Sequence, residues 1–209
     1  NDAYNVATMK PGETTIKATI SSGWHPAKLL ALCCIWLATL GNTPLWLELS
    51  RLPEMNDWRA VWFSLSFATL IAALLMLVLS LLNWRWVIKP AISFFLLAAA
   101  FGGYFMFTYG VVIDSTMMIN AIQTDMRETR DLLSWDMSGI VVVFAILPII
   151  WLWRTRINYK PFWKQLLQNI LLFTASVALA VAAVLPIYQD MASTMRNHAQ
   201  LRYLINPLN

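Results

Sequence analysis

The chain has 209 residues, of which 59% are hydrophobic and 12% charged, and it carries a net charge of +4 at neutral pH. An ordinary soluble domain is nearer about 45–50% apolar and 25% charged, and water could not cover this much hydrocarbon. A soluble enzyme, a nucleic-acid-binding module and a disordered chain are thereby excluded, and the composition is that of a membrane protein.

Residues 1–24 are polar, lack a secretory apolar core and do not begin with methionine, so they read as a cytoplasmic tail or an expression remnant. Five apolar runs follow, each able to cross hydrocarbon about 30 Å thick, which takes roughly 20 helical residues. The first, 29–49, is interrupted by Gly41-Asn42-Thr43-Pro44, which predicts a kink or an early end. Its Cys33 and Cys34 are adjacent, so on a helix they diverge by about 100° and read as small hydrophobes rather than a disulfide or a metal pair. The second run, 60–82, is the most uniformly apolar, and the third, 90–113, opens on Lys89-Pro90, a proline suited to a first helical turn. The fourth, 139–153, is short and carries Pro148; the fifth, 166–188, has Pro186 near its end. All five must be helical, because lipid offers backbone amides no partner outside their own segment.

Charge gives the bundle a direction. With the N-terminus in the cytoplasm, the cytoplasmic segments hold nine Lys and Arg, from Lys10 to Lys164, against Asp2 and Glu13, while the outer segments hold six Arg against nine carboxylates. Trp24, Trp58, Trp84, Trp86, Trp151, Trp153 and Trp163 fall at the ends of the runs, where an amphipathic ring prefers the headgroup layer. An odd number of spans sends the C-terminus outside. His25 and His198 then lie on opposite faces, which disfavours a zinc site within this chain.

Between the third and fourth spans, Asp114 to Ser138 is the long polar stretch outside the tail. Asn120, Thr124 and Glu128 recur every four residues and share a helical sector of about 80°. Met118, Ile122 and Met126 lie roughly opposite, which suits a helix at the membrane surface. The stripe is either the solvated face of that helix or a headgroup-binding surface, in which Glu128 pairs with an ammonium while Asn120 and Thr124 donate to phosphate or ester oxygens. Within the spans, Asn42 reads as a bond between helices, Glu48 as a boundary carboxylate that snorkels, and Phe101-Gly102-Gly103-Tyr104 as close packing through glycine. After the fifth span, Tyr188, Asp190, Ser193, Arg196, Asn197, Arg202, Tyr203 and Asn206-Pro207 end in a turn signal without a packed element and resemble either a linker or a flexible outer tail.

Two motifs carry a family resemblance. The stretch Tyr104-Phe105, Thr108-Tyr109-Gly110, Val112, Asp114, Met117, Asn120, Thr124-Asp125, Glu128, Leu132-Leu133 closely resembles the signature of the lipid A phosphoethanolamine transferases, the family that includes the mobilised colistin resistance enzymes. Tyr188, Asp190, Ala192-Ser193, Arg196-Asn197, Arg202 and Asn206-Pro207 are similar to that family's link between its last membrane helix and its catalytic domain. Lys89-Pro90 fits as well, and the resemblance covers about 25–209.

The resemblance implies a bacterial inner-membrane enzyme with a five-helix membrane domain and a periplasmic, zinc-dependent, alkaline-phosphatase-like domain. Phosphoethanolamine passes from phosphatidylethanolamine to a threonine nucleophile and then to a phosphate of lipid A. The added ammonium weakens binding of cationic polymyxins. It also implies that Asn120, Thr124 and Glu128 line the lipid-substrate pocket. Phosphatidylethanolamine, lipid A, the bilayer and the protein's own catalytic domain are the expected partners, with no nucleic acid.

The expected architecture is an all-α membrane protein. Five transmembrane helices occupy 25–190, an interfacial periplasmic helix lies at about 115–135, and 191–209 form a periplasmic linker. Since the sequence stops at Asn209, before any nucleophile or zinc ligand, this chain is expected to be inactive alone, with no cofactor of its own and zinc in the catalytic domain. The alternative is a small multi-pass transporter subunit or membrane scaffold without phosphoryl transfer. That reading calls for polar residues facing one another near the midplane.

Overall fold

The computed structural model describes residues 23–52, 58–109, 135–197, 201 and 204–207. The first span is made of α1 (Pro26–Thr39), a 3-10 turn (Leu40–Asn42) and α2 (Thr43–Ser50). Helices α3 (Trp58–Leu81) and α4 (Ile88–Tyr109) follow. The fourth span joins α5 (Trp135–Val141) to α6 (Leu147–Arg154) through a π-helical turn at Val142–Ile146. The fifth runs through α7 (Phe162–Val184), a 3-10 turn at Leu185–Ile187 and α8 (Tyr188–Asn197). Among the described residues, five helical units are long and apolar enough to cross a membrane.

Proline explains the interruptions of the first and fourth spans. Pro44 and Pro148 each sit in the first turn of the helix they open, α2 and α6. There the missing N–H costs nothing, but the ring would collide with the carbonyl four residues earlier in an unbroken α-helix. In the fourth span the π-turn absorbs that conflict, with Leu147 N–H bonding back to Val142 O. The span therefore does not stop at Pro148, and it begins at Trp135, four residues ahead of the apolar run that signalled it.

The helices alternate in direction, which defines two ends. At the near end, where the described chain begins, Trp24 N–H donates to Arg156 O at 2.8 Å and Asn158 N–H donates to Trp24 O at 3.1 Å, tying the entry of α1 to the turn between α6 and α7. Phe63, Phe67, Ile71, Leu75 and Leu79 of α3 are buried at four-residue spacing, the stripe expected of a helix packed on one face. They meet Leu30, Leu37, Ile92, Leu96 and Leu152 in one core. Trp62, Leu65, Phe94, Leu171 and Val181 instead face outward, as lipid-facing side chains do. Trp86, Trp153 and Trp163 are 83%, 55% and 77% exposed at the near end, and Trp58 is 70% exposed at the far end, which fits two aromatic belts.

Polar groups inside this core are bonded to one another. Asn83, just past α3, donates through Nδ2 to Asn169 Oδ1 at 2.9 Å, and Asn169 Nδ2 donates to Asn83 O at 3.1 Å. Gln165 Nε2 donates to Asn169 Oδ1 at 3.0 Å. This amide knot pins α7 to α3, the interhelical use that lipid favours for Asn and Gln. Cys33 and Cys34 are both buried free thiols.

Candidate functional site

The far end of the bundle carries the geometry of interest. Residues Asn120, Thr124 and Glu128, singled out by the sequence, lie outside the described residues, as does the interfacial helix expected at about 115–135. The described chain leaves this end at Tyr109 and re-enters at Trp135. Between those points and the first span sits a cavity of about 190 Å³. Its walls are Trp36, Leu40 and Gly41 of the first span, Gly103 and Phe107 of α4, and Ile140 and Phe144 of the fourth. That volume is below the roughly 300 Å³ at which pockets enclose a whole drug-sized molecule, so it suits a segment of an apolar chain.

The break in the first span opens this space, and its backbone has to be satisfied within the protein. Five successive carbonyls receive side-chain donors. Asn42 Nδ2 donates to Leu37 O at 2.8 Å, and Trp46 Nε1 donates to Ala38 O at 3.0 Å and Thr39 O at 3.1 Å. Thr43 Oγ1 donates to Leu40 O at 2.7 Å, and Asn206 Nδ2 donates to Gly41 O at 3.4 Å. The turn is held open by these contacts, because each freed carbonyl has a partner fixed by its own neighbours.

Asn206 provides the long-range part. Its N–H donates to Asn42 Oδ1 at 2.7 Å, its carbonyl accepts from Asn42 Nδ2 at 2.6 Å, and its own Nδ2 donates to Ala99 O at 2.7 Å. Only 3% of Asn206 is exposed, and Leu201 is buried as well. Asn206, in the stretch that the sequence suggested would trail without a packed element, is therefore inserted between the first span and α4. A Cβ on Gly102 would stand 2.8 Å from Asn206 Oδ1, so that glycine makes room for the inserted side chain rather than for a neighbouring helix. Gly41 does serve close packing: a Cβ there would meet Ala99 Cβ at 3.3 Å. Asn42 bonds across elements as its position in the span suggested, and Glu48 reaches the boundary, where Arg51 pairs with it at 3.4 Å.

Chemically, the described part of this site is an apolar surface. Its lining offers no carboxylate, histidine or cysteine. Among the described residues no three His, Cys, Asp or Glu come together to hold a metal ion. What the arrangement provides is an apolar recess between the first span, α4 and the fourth span. The sequence did not indicate the recess itself. Its signals were the small residues Gly41, Ala99 and Gly103, which line up only once the first span and α4 are in contact.

Residues 71–209 match the family described as phosphoethanolamine transferase EptA/EptB. Over 184 residues the chain is 31% identical to phosphatidylethanolamine transferase Mcr-1 and 29% identical to Mcr-2, both of Escherichia coli, covering 88% of this chain and 34% of each relative. Phosphoethanolamine transferase EptA of Escherichia coli K12 is 27% identical over 187 residues, covering 86% of this chain and 33% of that protein. Among solved structures, the integral membrane lipooligosaccharide phosphoethanolamine transferase A of Neisseria meningitidis superposes with a TM-score of 0.79 at 22% identity, over 86% of this chain and 34% of that one. That likeness shows the fold. The chain thus spans about a third of the length of the relatives it matches.

Proposed function

Because the chain belongs to the EptA/EptB phosphoethanolamine transferase family, matched over residues 71–209, we propose that it anchors such an enzyme and seats its lipid donor. It corresponds to the N-terminal membrane domain of these relatives, which does not favour the transporter or scaffold alternative. In the whole protein, phosphoethanolamine would pass from phosphatidylethanolamine to lipid A, with loss of polymyxin affinity as the cellular consequence. The bundle would lie in the bacterial inner membrane with its near end in the cytoplasm, where Arg85, Lys89, Arg154, Arg156, Lys160 and Lys164 gather. The far end would then face the periplasm.

One observation carries this reading: the family match runs through α4, residues 110–134 and Asn206 without a break, and Phe107 and Ile140, on the described helices either side of 110–134, line the apolar recess. In the proposed arrangement an acyl segment of the donor lies in the recess, Glu128 pairs with the ammonium, and Asn120 and Thr124 orient the phosphate. The membrane domain contributes positioning, which restricts the donor to reactive geometries. Zinc and the threonine nucleophile would belong to a catalytic domain of the whole enzyme.

The test is Glu128→Gln in the full-length protein. The carboxylate's charge is lost while its shape is kept, so lipid A modification falls by at least about tenfold, the worth of one charge-assisted contact. Protein level and membrane insertion stay at wild type. Wild-type amounts of modified lipid A would remove Glu128 from the site.

A further inference from the structure

Cations collect at the near end around a second cleft, of about 910 Å³. Arg85 reaches it from the turn before α4 and Lys89 from the start of α4, while Arg154, Arg156 and Tyr159 reach it from the end of α6 and the turn that follows. No Asp or Glu among the described residues lines it. Among the described residues the ion pair is Arg51–Glu48, at the opposite end, so these arginines have no described carboxylate as partner.

The cleft is built as well as charged. Lys89 Nζ donates to Trp153 O at 3.1 Å and Thr155 O at 2.9 Å, closing the last turn of α6. An ammonium has three donors, so this fixed cation keeps one for a ligand. The Arg85 guanidinium lies 5.7 Å from the centre of the Trp86 ring, a stacking that limits its movement. Tyr159 Oη is buried with no hydrogen-bond partner, an arrangement that costs free energy until an acceptor arrives. Burial pushes its pKa up to about 12, against the opposing pull of Arg85, so the hydroxyl remains a donor at neutral pH.

The lining charges and the Tyr159 hydroxyl thus offer donors with no opposing carboxylate, which is the complement of a phosphodiester. The cleft's depth indicates where that phosphate comes from. Trp86 and Trp153 on its rim are largely exposed, which sets it at headgroup level. Phe94, Leu147 and Ile150 continue outward as exposed apolar surface along α4 and α6, where acyl chains would lie. A zwitterionic headgroup would bring its ammonium against four cations with no carboxylate to receive it. An anionic headgroup meets no such opposition. We propose that this near-end cleft binds the phosphate of an anionic phospholipid of the phosphatidylglycerol type, independently of the donor site at the far end.

Basic residues also gather at such an end for topology alone, so the test holds charge constant. The chain is extracted into detergent with equal phosphatidylglycerol and phosphatidylethanolamine, and retained lipids are counted by native mass spectrometry. Combined Arg85→Gln, Arg154→Gln and Arg156→Gln should reduce phosphatidylglycerol adducts by at least about tenfold, the loss of several charge-assisted bonds. Combined Lys28→Gln, Lys160→Gln and Lys164→Gln removes the same charge from the same end and should leave them unchanged. Equal losses in the two triples, or none in the first, would overturn the site. Displacement of the lipid by excess inorganic phosphate would overturn the lipid assignment, and no displacement is expected. Should the arginine triple fail to insert, Tyr159→Phe decides. It removes one donor and no charge, and should lower phosphatidylglycerol adducts by about tenfold, the worth of one hydrogen bond to a charged acceptor; unchanged adducts would overturn the proposal.

Discussion

At the far end of the bundle the carbonyls of Leu37 to Gly41 each accept a side-chain donor, whereas at the near end Tyr159 Oη, Asn83 Oδ1 and the whole amide of Gln168 are buried without a partner. At the far side the freed backbone belongs to a break within the first span, and at the near end the chain turns between spans, so the two places meet the same demand for partners with different results. The far end uses its polar groups internally, so the space left over is an apolar recess of fixed shape. The near end leaves donors and cations uncommitted, so its cleft is complementary to something polar. The contrast teaches that polar residues near a membrane boundary do not by themselves mark a ligand site; their bonding partners decide.

The largest effect that would break this comparison is expected at Asn42. Asn42→Leu leaves Leu37 O and both backbone groups of Asn206 without their partner. Each orphaned group costs about 1–3 kcal/mol in water-soluble proteins, but interhelical bonds in membranes average about 0.6 kcal/mol. A total loss of roughly 2–4 kcal/mol therefore follows, read as an earlier unfolding midpoint in a detergent titration. An unchanged midpoint would mean that the lock at the far end does not hold the turn.

A second test separates the lock's two halves. In Gly102→Ala the new methyl group stands 2.8 Å from Asn206 Oδ1, while Asn206 is held by its bonds to Ala99 O and Gly41 O. The clash should cost about 1–2 kcal/mol in the wild type and much less beside Asn206→Ala, where the obstructing atoms are gone. Additive losses in the double variant would place the inserted side chain elsewhere.

Some of this organisation is readable from the sequence and some is not, for physical reasons. Spanning hydrocarbon is a property of local length and composition, so all five spans and the break at Gly41–Pro44 can be seen in the sequence. The interhelical role of Asn42 is legible too, because an amide in lipid has to find a partner. That its partner is Asn206, 164 residues away, cannot be read from spacing. Gly102 illustrates the same limit: a glycine pair in a span signals close approach, but only the assembled fold shows an asparagine arriving. The near-end cleft likewise joins Lys89 to Trp153 across 64 positions. For the proposed donor site, the sequence offers the stripe of Asn120, Thr124 and Glu128, which lies outside the described residues, and the fold shows the recess lined by Phe107 and Ile140.

Gly103 sharpens the comparison from the functional side. It lines the recess, and a Cβ there would meet Asn206 Nδ2 and Gly41 O at 3.8 Å, ordinary contact distance. Gly103→Leu should therefore fold at least as well as wild type, since leaving glycine in a helix gains up to about 1 kcal/mol. Its side chain would occupy the space proposed for the lipid. In the full-length enzyme, modified lipid A should fall severalfold while the unfolding midpoint holds. A drop in both would indicate that the substitution had disturbed packing rather than filled a binding space.

The smallest effect is expected at Tyr159, and it probes the near end directly. A buried hydroxyl without a partner contributes nothing that a hydrogen atom in its place would not, because its bonds to water were surrendered on folding and never replaced. Tyr159→Phe in lipid-free detergent should then leave stability within about 0.5 kcal/mol of wild type, or raise it slightly. Adding phosphatidylglycerol should reverse that order, since only the wild-type side chain can donate to the phosphate. A clear destabilisation by Tyr159→Phe in the absence of lipid would mean that the hydroxyl already has a partner within the protein, and the near end would then be as self-sufficient as the far one.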